Sequence, residues 1–299
     1  MNSRQRVLRL LRGEEVDRLP RGEVALEEEF VRDLLGFRRR RNVIGWLEQR
    51  AAVAALDLDL ITVDAATGAQ GLAQDVDRAR LKRANDWRDS GLAVVVRVDG
   101  PLNRLVMALG IEAAAARLDR RRTKPFATLD LVAARLRGAV GRAAAAGATA
   151  LLVADDCPDL ADLPVPIEHL HRFYLPQLAE LVNTARSYRL PVMVHVAAWH
   201  WPLLDDLCRL KPAALQGLSG RPLAEFRERA GPEICLWGNA DPAWLAQPHA
   251  PEEVLDEARR LIAAGRPRYL FGTASGLRAG LDPEVVLLLY EAASRAPRL

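Results

Sequence analysis

The chain has 299 residues, half of them apolar, enough for one large core or two ordinary domains. Its formal charge of +3 rests on 42 basic and 39 acidic residues, well mixed, which excludes the basic face that nucleic acid requires. No apolar run approaches the ~20 residues that span a bilayer, and no Pro/Gly/Ser-rich linker marks a boundary, so one domain is expected. Met1 to Gly13 is basic and lacks a signal-peptide apolar region and cleavage site; it reads as a short amphipathic helix with Val7, Leu8, Leu10 and Leu11 on its apolar side. Apolar runs then alternate with helical patterns. The spacing predicts strands at Glu23–Leu26, Leu58–Val63, Leu92–Val98, Thr149–Ala154, Pro191–Val196, Ala213–Leu218, Ile234–Trp237 and Arg268–Phe271. Between them, Leu129 to Ala146 and Ile167 to Tyr188 carry helix periodicity. Pro251 opens a helix with acids in its first turn, and Asp282 is read as the N-cap of the last. Phe37 to Asn42, with its Arg38–Arg41 run, and Thr67 to Asp89 are less regular.

Strands separated by helices pair in parallel through right-handed crossovers. Eight such units in this length predict an α/β fold, a closed (β/α)8 barrel of one domain. The strands are apolar on both faces, as parallel strands covered on both sides must be. Three cysteines, Cys157, Cys208 and Cys235, show no paired spacing, which argues for a reducing, cytoplasmic setting without disulfides.

In such a barrel the chemistry sits at the C-terminal ends of the strands. Asp155 and Asp156 end one strand; neighbours point to opposite faces, so Asp156 is expected in the mouth while Asp155 caps a loop or orients a partner. A carboxylate there can bind a metal, act as a base or stabilise a cation. His195 ends the next strand, followed by Trp199, His200 and Trp201. Glu23, Asp64 and Asp99 stand at earlier strand ends, where each can reach the mouth or cap a loop. Asn239 and Asp241, in Gly238-Asn-Ala-Asp-Pro242, are turn chemistry in form, with Asp241 read as a cap. Ser275, in Gly272-Thr-Ala-Ser-Gly276, lies where a loop could take an anion. Cys157 is either a buried thiol or a metal ligand; Cys208 is read as packing. There is no GxGxxG after a strand, Walker loop, HExxH or serine elbow.

With these residues placed, the chain resembles the uroporphyrinogen decarboxylase superfamily, which includes zinc-dependent methyltransferases that work with corrinoid proteins. The resemblance runs over nearly the whole chain. Its landmarks are Arg4 to Gly13 with Val16-Asp-Arg-Leu-Pro20, Asp99-Gly-Pro-Leu102, Ala154-Asp-Asp156, Val194-His195, Gly238 to Pro242, and the Gly-rich loop before Asp282-Pro-Glu. It implies a single barrel over residues 1–299 with an N-terminal helical extension. The stretch after Pro20 is acidic where the decarboxylases carry arginines, and Thr273-Ala-Ser275 replaces their late histidine; only Asp64 matches their essential aspartate by position. The methyltransferases bind zinc through a His-x-Cys pair and a later Cys; here the pair reads His195-Val196-Ala197 and the late position is Ser275. The resemblance therefore points first to a methyltransferase moving a methyl group between a small-molecule donor and a corrinoid (cobalamin) protein. His195, Asp156, Glu23 and Asp64 are the candidate catalytic residues; Asp155, Asn239, Ser275 and Trp199 are candidates for binding substrate. A rebuilt zinc site would draw on His195, Asp156, Glu23 and Cys157. The expected partners are that corrinoid-binding protein and a second copy of the chain as a homodimer. The alternatives are a tetrapyrrole decarboxylase and a non-catalytic relative that binds a tetrapyrrole, a corrinoid or a partner protein.

Overall fold

The structure is a computed structural model that describes residues 1–37, 44–67, 76–118, 127–156 and 166–296. The arginine run 38–41 and Cys157 lie outside them. Among the described residues there are seven strands: β1 (Leu60–Asp64), β2 (Ala93–Asp99), β3 (Ala150–Ala154), β4 (Val192–Val196), β5 (Ala214–Gly217), β6 (Cys235–Trp237) and β7 (Tyr269–Leu270). They follow one another in the sheet in chain order. The fold is α/β, as the alternating apolar runs and helices require.

The chain divides into two compact units. Unit 1 comprises residues 1–62, 91–93 and 216–299. Its N-terminal helix, Ser3–Arg12, is closed by Gly13 in the left-handed conformation and buries Val7, Leu10 and Leu11. The same helix buries Arg6, whose guanidinium bonds Asp17 at 2.6 Å and also reaches Asp59. Asp59 is fully buried and takes Arg18 at 2.8 Å and the Arg21 backbone N–H at 3.1 Å, so its charge is matched on every side. β6 and β7 pair in parallel, Leu236 with Tyr269 and Trp237 with Leu270. Helices Pro251–Gly265 and Pro283–Ser294 both start on proline, and Asp282 caps the second by accepting from the Glu284 and Val285 amides. No eighth strand forms at Glu23–Leu26. Only isolated bridges occur, Arg21 with Phe271, Gly22 with Leu60 and Leu26 with Leu277. Between these bridges the Glu23 carbonyl accepts from the Thr62 hydroxyl at 2.9 Å.

Unit 2 comprises residues 63–90 and 94–215. β2, β3 and β4 run parallel, with Val98 opposite Val153 and Val153 opposite Val194. β3 and β4 are buried along their whole length. The expected helix at Ile167–Tyr188 is broken. A π-helical turn, Leu170–Tyr174, precedes the regular helix Leu175–Ser187. Pro176 has no amide to donate back into the preceding turn, and a π turn absorbs the missing bond. Leu178, Leu181 and Val182 remain on the buried face.

Candidate functional site

Unit 2 gathers carboxyl groups at the C-terminal ends of β2 and β3. Asp155 and Asp156 leave β3 in opposite directions, as adjacent residues of an extended chain must. Asp155 turns inward and is 2% exposed. Its Oδ1 accepts the Asn103 backbone N–H at 2.7 Å, capping the helix Pro101–Leu109. The Tyr174 hydroxyl stands beside the same carboxyl. Gly100 makes room for this approach, since a Cβ there would fall 2.1 Å from the Asp155 carboxyl. Burial, reinforced by the charges of Asp156 and Asp99, pushes the Asp155 carboxyl up to about 7.

Asp156 is held differently. Both its oxygens receive the Arg97 guanidinium at 2.7 Å, and the Asn103 side-chain amide reaches it at 3.3 Å. Burial alone would raise its pKa, but the charges of Arg97 and His195 prevail and hold it below the usual value. Arg97 also grips Asp64 at 3.0 Å, where Arg80 approaches from the other side at 3.7 Å. Asp99 is occupied by the Thr67 backbone N–H at 2.7 Å and the Asn103 amide at 3.0 Å. His195, on β4, is 9% exposed and electrostatically coupled to Asp156 and to His200. His200 is fully buried; its Nδ1 accepts the Ala197 N–H at 3.1 Å, and burial with the nearby His195 brings its pKa down to about 3. Its ring stacks on Trp199 at 3.6 Å between centroids, and Trp199 in turn meets Tyr174 at 6.3 Å. Asp64, Asp155, Asp156, His195 and Trp199 thus share unit 2.

Unit 1 holds a second buried acid. Glu23 is 1% exposed and accepts from the Thr273 backbone N–H at 2.8 Å, the Thr273 hydroxyl at 2.6 Å and the Tyr290 hydroxyl. Burial pushes it up to about 7 even though these donors favour its charged form. The Thr273 hydroxyl also receives the Gly276 N–H at 2.8 Å, so Glu23 fixes the loop 272–276. Gly272 and Gly276 are required there: a Cβ on Gly272 would fall 2.3 Å from the Gly22 carbonyl, and Gly276 has φ +91. Ser275 is exposed on this loop. Asn239 spends its amide on the carbonyls of Leu218 and Arg221, at 2.9 and 3.2 Å, and Asp241 caps the helix Pro242–Leu245. Trp237 is fully buried and donates to the Gly22 carbonyl at 2.9 Å. Cys235 is a buried thiol that burial pushes up to about 12.

The described members of the expected zinc set, His195, Asp156 and Glu23, offer no ready site, and Cys157 lies outside the described residues. Among the described residues no three His, Cys, Asp or Glu side chains group as a metal site. The Asp156 oxygens are engaged by Arg97 and those of Glu23 by Thr273 and Tyr290, so binding a metal would first break these bonds.

Sequence reading missed Arg97, Asn103, Tyr174, Thr273 and Tyr290. Arg97 had a signal, a charge interrupting the apolar run Val94–Val98. Tyr174 had none, because the π turn shifts it off the helical period. Thr273 and Tyr290 meet Glu23 only through folding, 250 and 267 positions away in sequence.

The family described as uroporphyrinogen decarboxylase (URO-D) matches residues 79–296. The uroporphyrinogen decarboxylase of Geobacter metallireducens is 28% identical over 128 residues, 42% of this chain and 36% of that protein. That of Mycobacterium ulcerans is 31% identical over 124 residues, 38% of this chain and 35% of that protein. The match thus covers about a third of the length of these curated relatives. Among solved structures, a methyltransferase from Methanosarcina mazei superposes with a TM-score of 0.78 at 15% identity, covering 98% of both chains. A B12-independent methionine synthase from Shewanella superposes with a TM-score of 0.52 at 15% identity, over 72% of this chain and 64% of that one. At these identities the likeness is one of fold. Among the described residues no helix is long and apolar enough to cross a membrane.

Proposed function

Because the chain belongs to the uroporphyrinogen decarboxylase family, we propose that it is a methyltransferase of that family's kind, moving a methyl group between a small molecule and a corrinoid protein. The observation that carries this reading is the divided carboxyl pair: Asp155 buried beside Tyr174, Asp156 clamped by Arg97. Two neighbouring carboxyls in opposed environments separate into a proton donor and a fixed anion. The acidic stretch after Pro20 and the engagement of Asp64 by Arg97 and Arg80 weigh against a tetrapyrrole with many carboxylates. The Methanosarcina mazei superposition, over 98% of both chains, supports a single (β/α)8 barrel over residues 1–299.

In this reading the donor's heteroatom–methyl bond breaks with both electrons staying on the heteroatom. Asp155, in its neutral form, delivers a proton to that atom, and Asp156, kept anionic by Arg97, orients His195 and offsets positive charge that develops beside it. The corrinoid, bound to its partner protein, supplies the nucleophile that accepts the methyl group. No step is assigned to zinc.

The test is methyl transfer from small methoxy and methylamine donors to cob(I)alamin, followed by the absorbance change of the cobalt. Asp155→Asn should lower the rate by about 100-fold, within the usual range for losing a general acid. A rate unchanged in Asp155→Asn would remove that residue from the chemistry.

A further inference from the structure

In unit 1 the helices Pro251–Gly265 and Pro283–Ser294 leave a groove between them toward their C-terminal ends. Its volume is about 590 Å³, within the roughly 300–1,000 Å³ that small-molecule sites occupy. Leu255, Ala258 and Ile262 line it from the first helix and Ala292 from the second. Alanine at 258 and 292 leaves the hollow, because a longer side chain at either position would occupy it. Arg259, Arg266 and Arg295 also line it. None of its lining residues belongs to the buried network of Glu23, Thr273 and Tyr290.

The polar side chains of the groove are of one kind. Arginine donates through five N–H groups and accepts nothing, so the polar end of a ligand here must be an acceptor. Asp256 bonds Arg259 at 2.9 Å and Glu291 bonds Arg295, but neither acid lines the groove and both pairs are exposed to solvent. Exposed pairs hold their partners weakly, and each guanidinium keeps further N–H groups for a second acceptor. The C-terminal carbonyls of a helix carry about half a negative charge. Arg266 and Arg295 directly follow Gly265 and Ser294 and offset it at both helix ends. A carboxylate matches the guanidinium fork with two parallel N–H bonds. Among the described lining residues none is aromatic, so the apolar part of the ligand meets aliphatic side chains and no ring face.

We propose that this groove binds a free amphipathic carboxylate with an unbranched aliphatic body. The chain lies along Leu255, Ala258, Ile262 and Ala292, and Arg259, Arg266 and Arg295 hold the head. Affinity rises with chain length while each added methylene is buried, and cationic heads are rejected. The site is separate from the methyl-transfer reading and does not depend on it.

The test is an NMR titration of the full-length chain, labelled at the isoleucine δ1 methyls, with decanoate and separately with decyltrimethylammonium, both below their micelle concentrations. The chain has six isoleucines, and the Ile262 methyl is assigned by its loss in Ile262→Val. Decanoate should move that resonance saturably and bind at least about tenfold more tightly than the cation, the scale of one charge-assisted hydrogen bond. Ala292→Phe, which fills the groove, and Arg259→Gln combined with Arg295→Gln should each weaken decanoate by a similar factor. An Ile262 resonance unmoved by decanoate, or a cation bound as tightly, would overturn the proposal, and both results come from the wild-type protein even if a variant fails to fold. A wild-type dimer that dissociates in Ala292→Phe would overturn it in favour of a second copy of the chain. A chain ending at Ala296 that binds decanoate about tenfold more tightly than the full chain would overturn it in favour of residues 297–299.

Discussion

Asp155 and Asp156 are one position apart and differ in what surrounds them. The pH dependence of stability separates them. Below about pH 4 the folded and unfolded chains both keep the Asp155 proton. As pH rises, the unfolded chain releases it while the folded chain holds it up to about 7, so stability falls across that window. A shift of this size corresponds to on the order of 4 kcal/mol. Glu23, also raised to about 7, contributes a decline of the same sign. Asp155→Asn keeps the bond from the Asn103 amide and removes the titration, so the loss of stability between pH 5 and pH 8 should shrink by roughly half, read by urea unfolding at both values. An undiminished decline would mean that Asp155 ionises normally in the folded protein. Arg97 makes the opposite case. Arg97→Met should cost about 3 kcal/mol, because it leaves the half-buried Asp156 without its counter-charge. A loss below 1 kcal/mol would show Asp156 to be solvated well enough without Arg97. Asp155, Asp156 and His195 were singled out in sequence by one rule, that chemistry collects at strand ends, and all three fall in unit 2. Arg97 points into the same group from within β2, where only its charge among valines marks it.

The elements set these side chains by close approach. Gly100 lets the start of the helix Pro101–Leu109 sit on the Asp155 carboxyl. Gly100→Ala should push that carboxyl aside and break the Asn103 bond, costing about 1–3 kcal/mol and much of the activity. Unfolding and turnover measured on the same preparation check both, and a fully active, stable variant would show that the carboxyl has room to move. In unit 1, Thr273→Val deletes the hydroxyl that Glu23 and the Gly276 amide share. It should loosen the loop 272–276, seen as faster amide exchange at Gly276 with little change in the helix Pro251–Gly265. Unaltered exchange at Gly276 would show that the loop is held without Thr273. Helix starts were readable in advance, since Pro251, Asp282 and Asp241 act where a proline or a cap should. The π turn was not readable. It arises from one missing amide at Pro176, and periodicity over the whole segment averages it away. The strand expected at Glu23–Leu26 is reduced to isolated bridges, because its neighbours Arg21, Gly22 and Leu26 pair one residue at a time with different segments.

Over the whole molecule, alternating apolar runs and helices gave the α/β class, because parallel strands buried on both faces leave that trace in any sequence. The family was legible in the landmarks from Arg4 to Asp282, and the match over residues 79–296 shows it. The reaction is written less openly, because the partners of Glu23 and Asp155 come from distant segments and the groups that distinguish a decarboxylase from a methyltransferase are few. The decisive measurement puts both reactions to one preparation: uroporphyrinogen with product chromatography, and methyl donors with cob(I)alamin followed by absorbance. The expected result is methylation of cobalt that slows about 100-fold in Asp155→Asn, with uroporphyrinogen unchanged. Conversion of uroporphyrinogen to coproporphyrinogen without any cobalt methylation would contradict it.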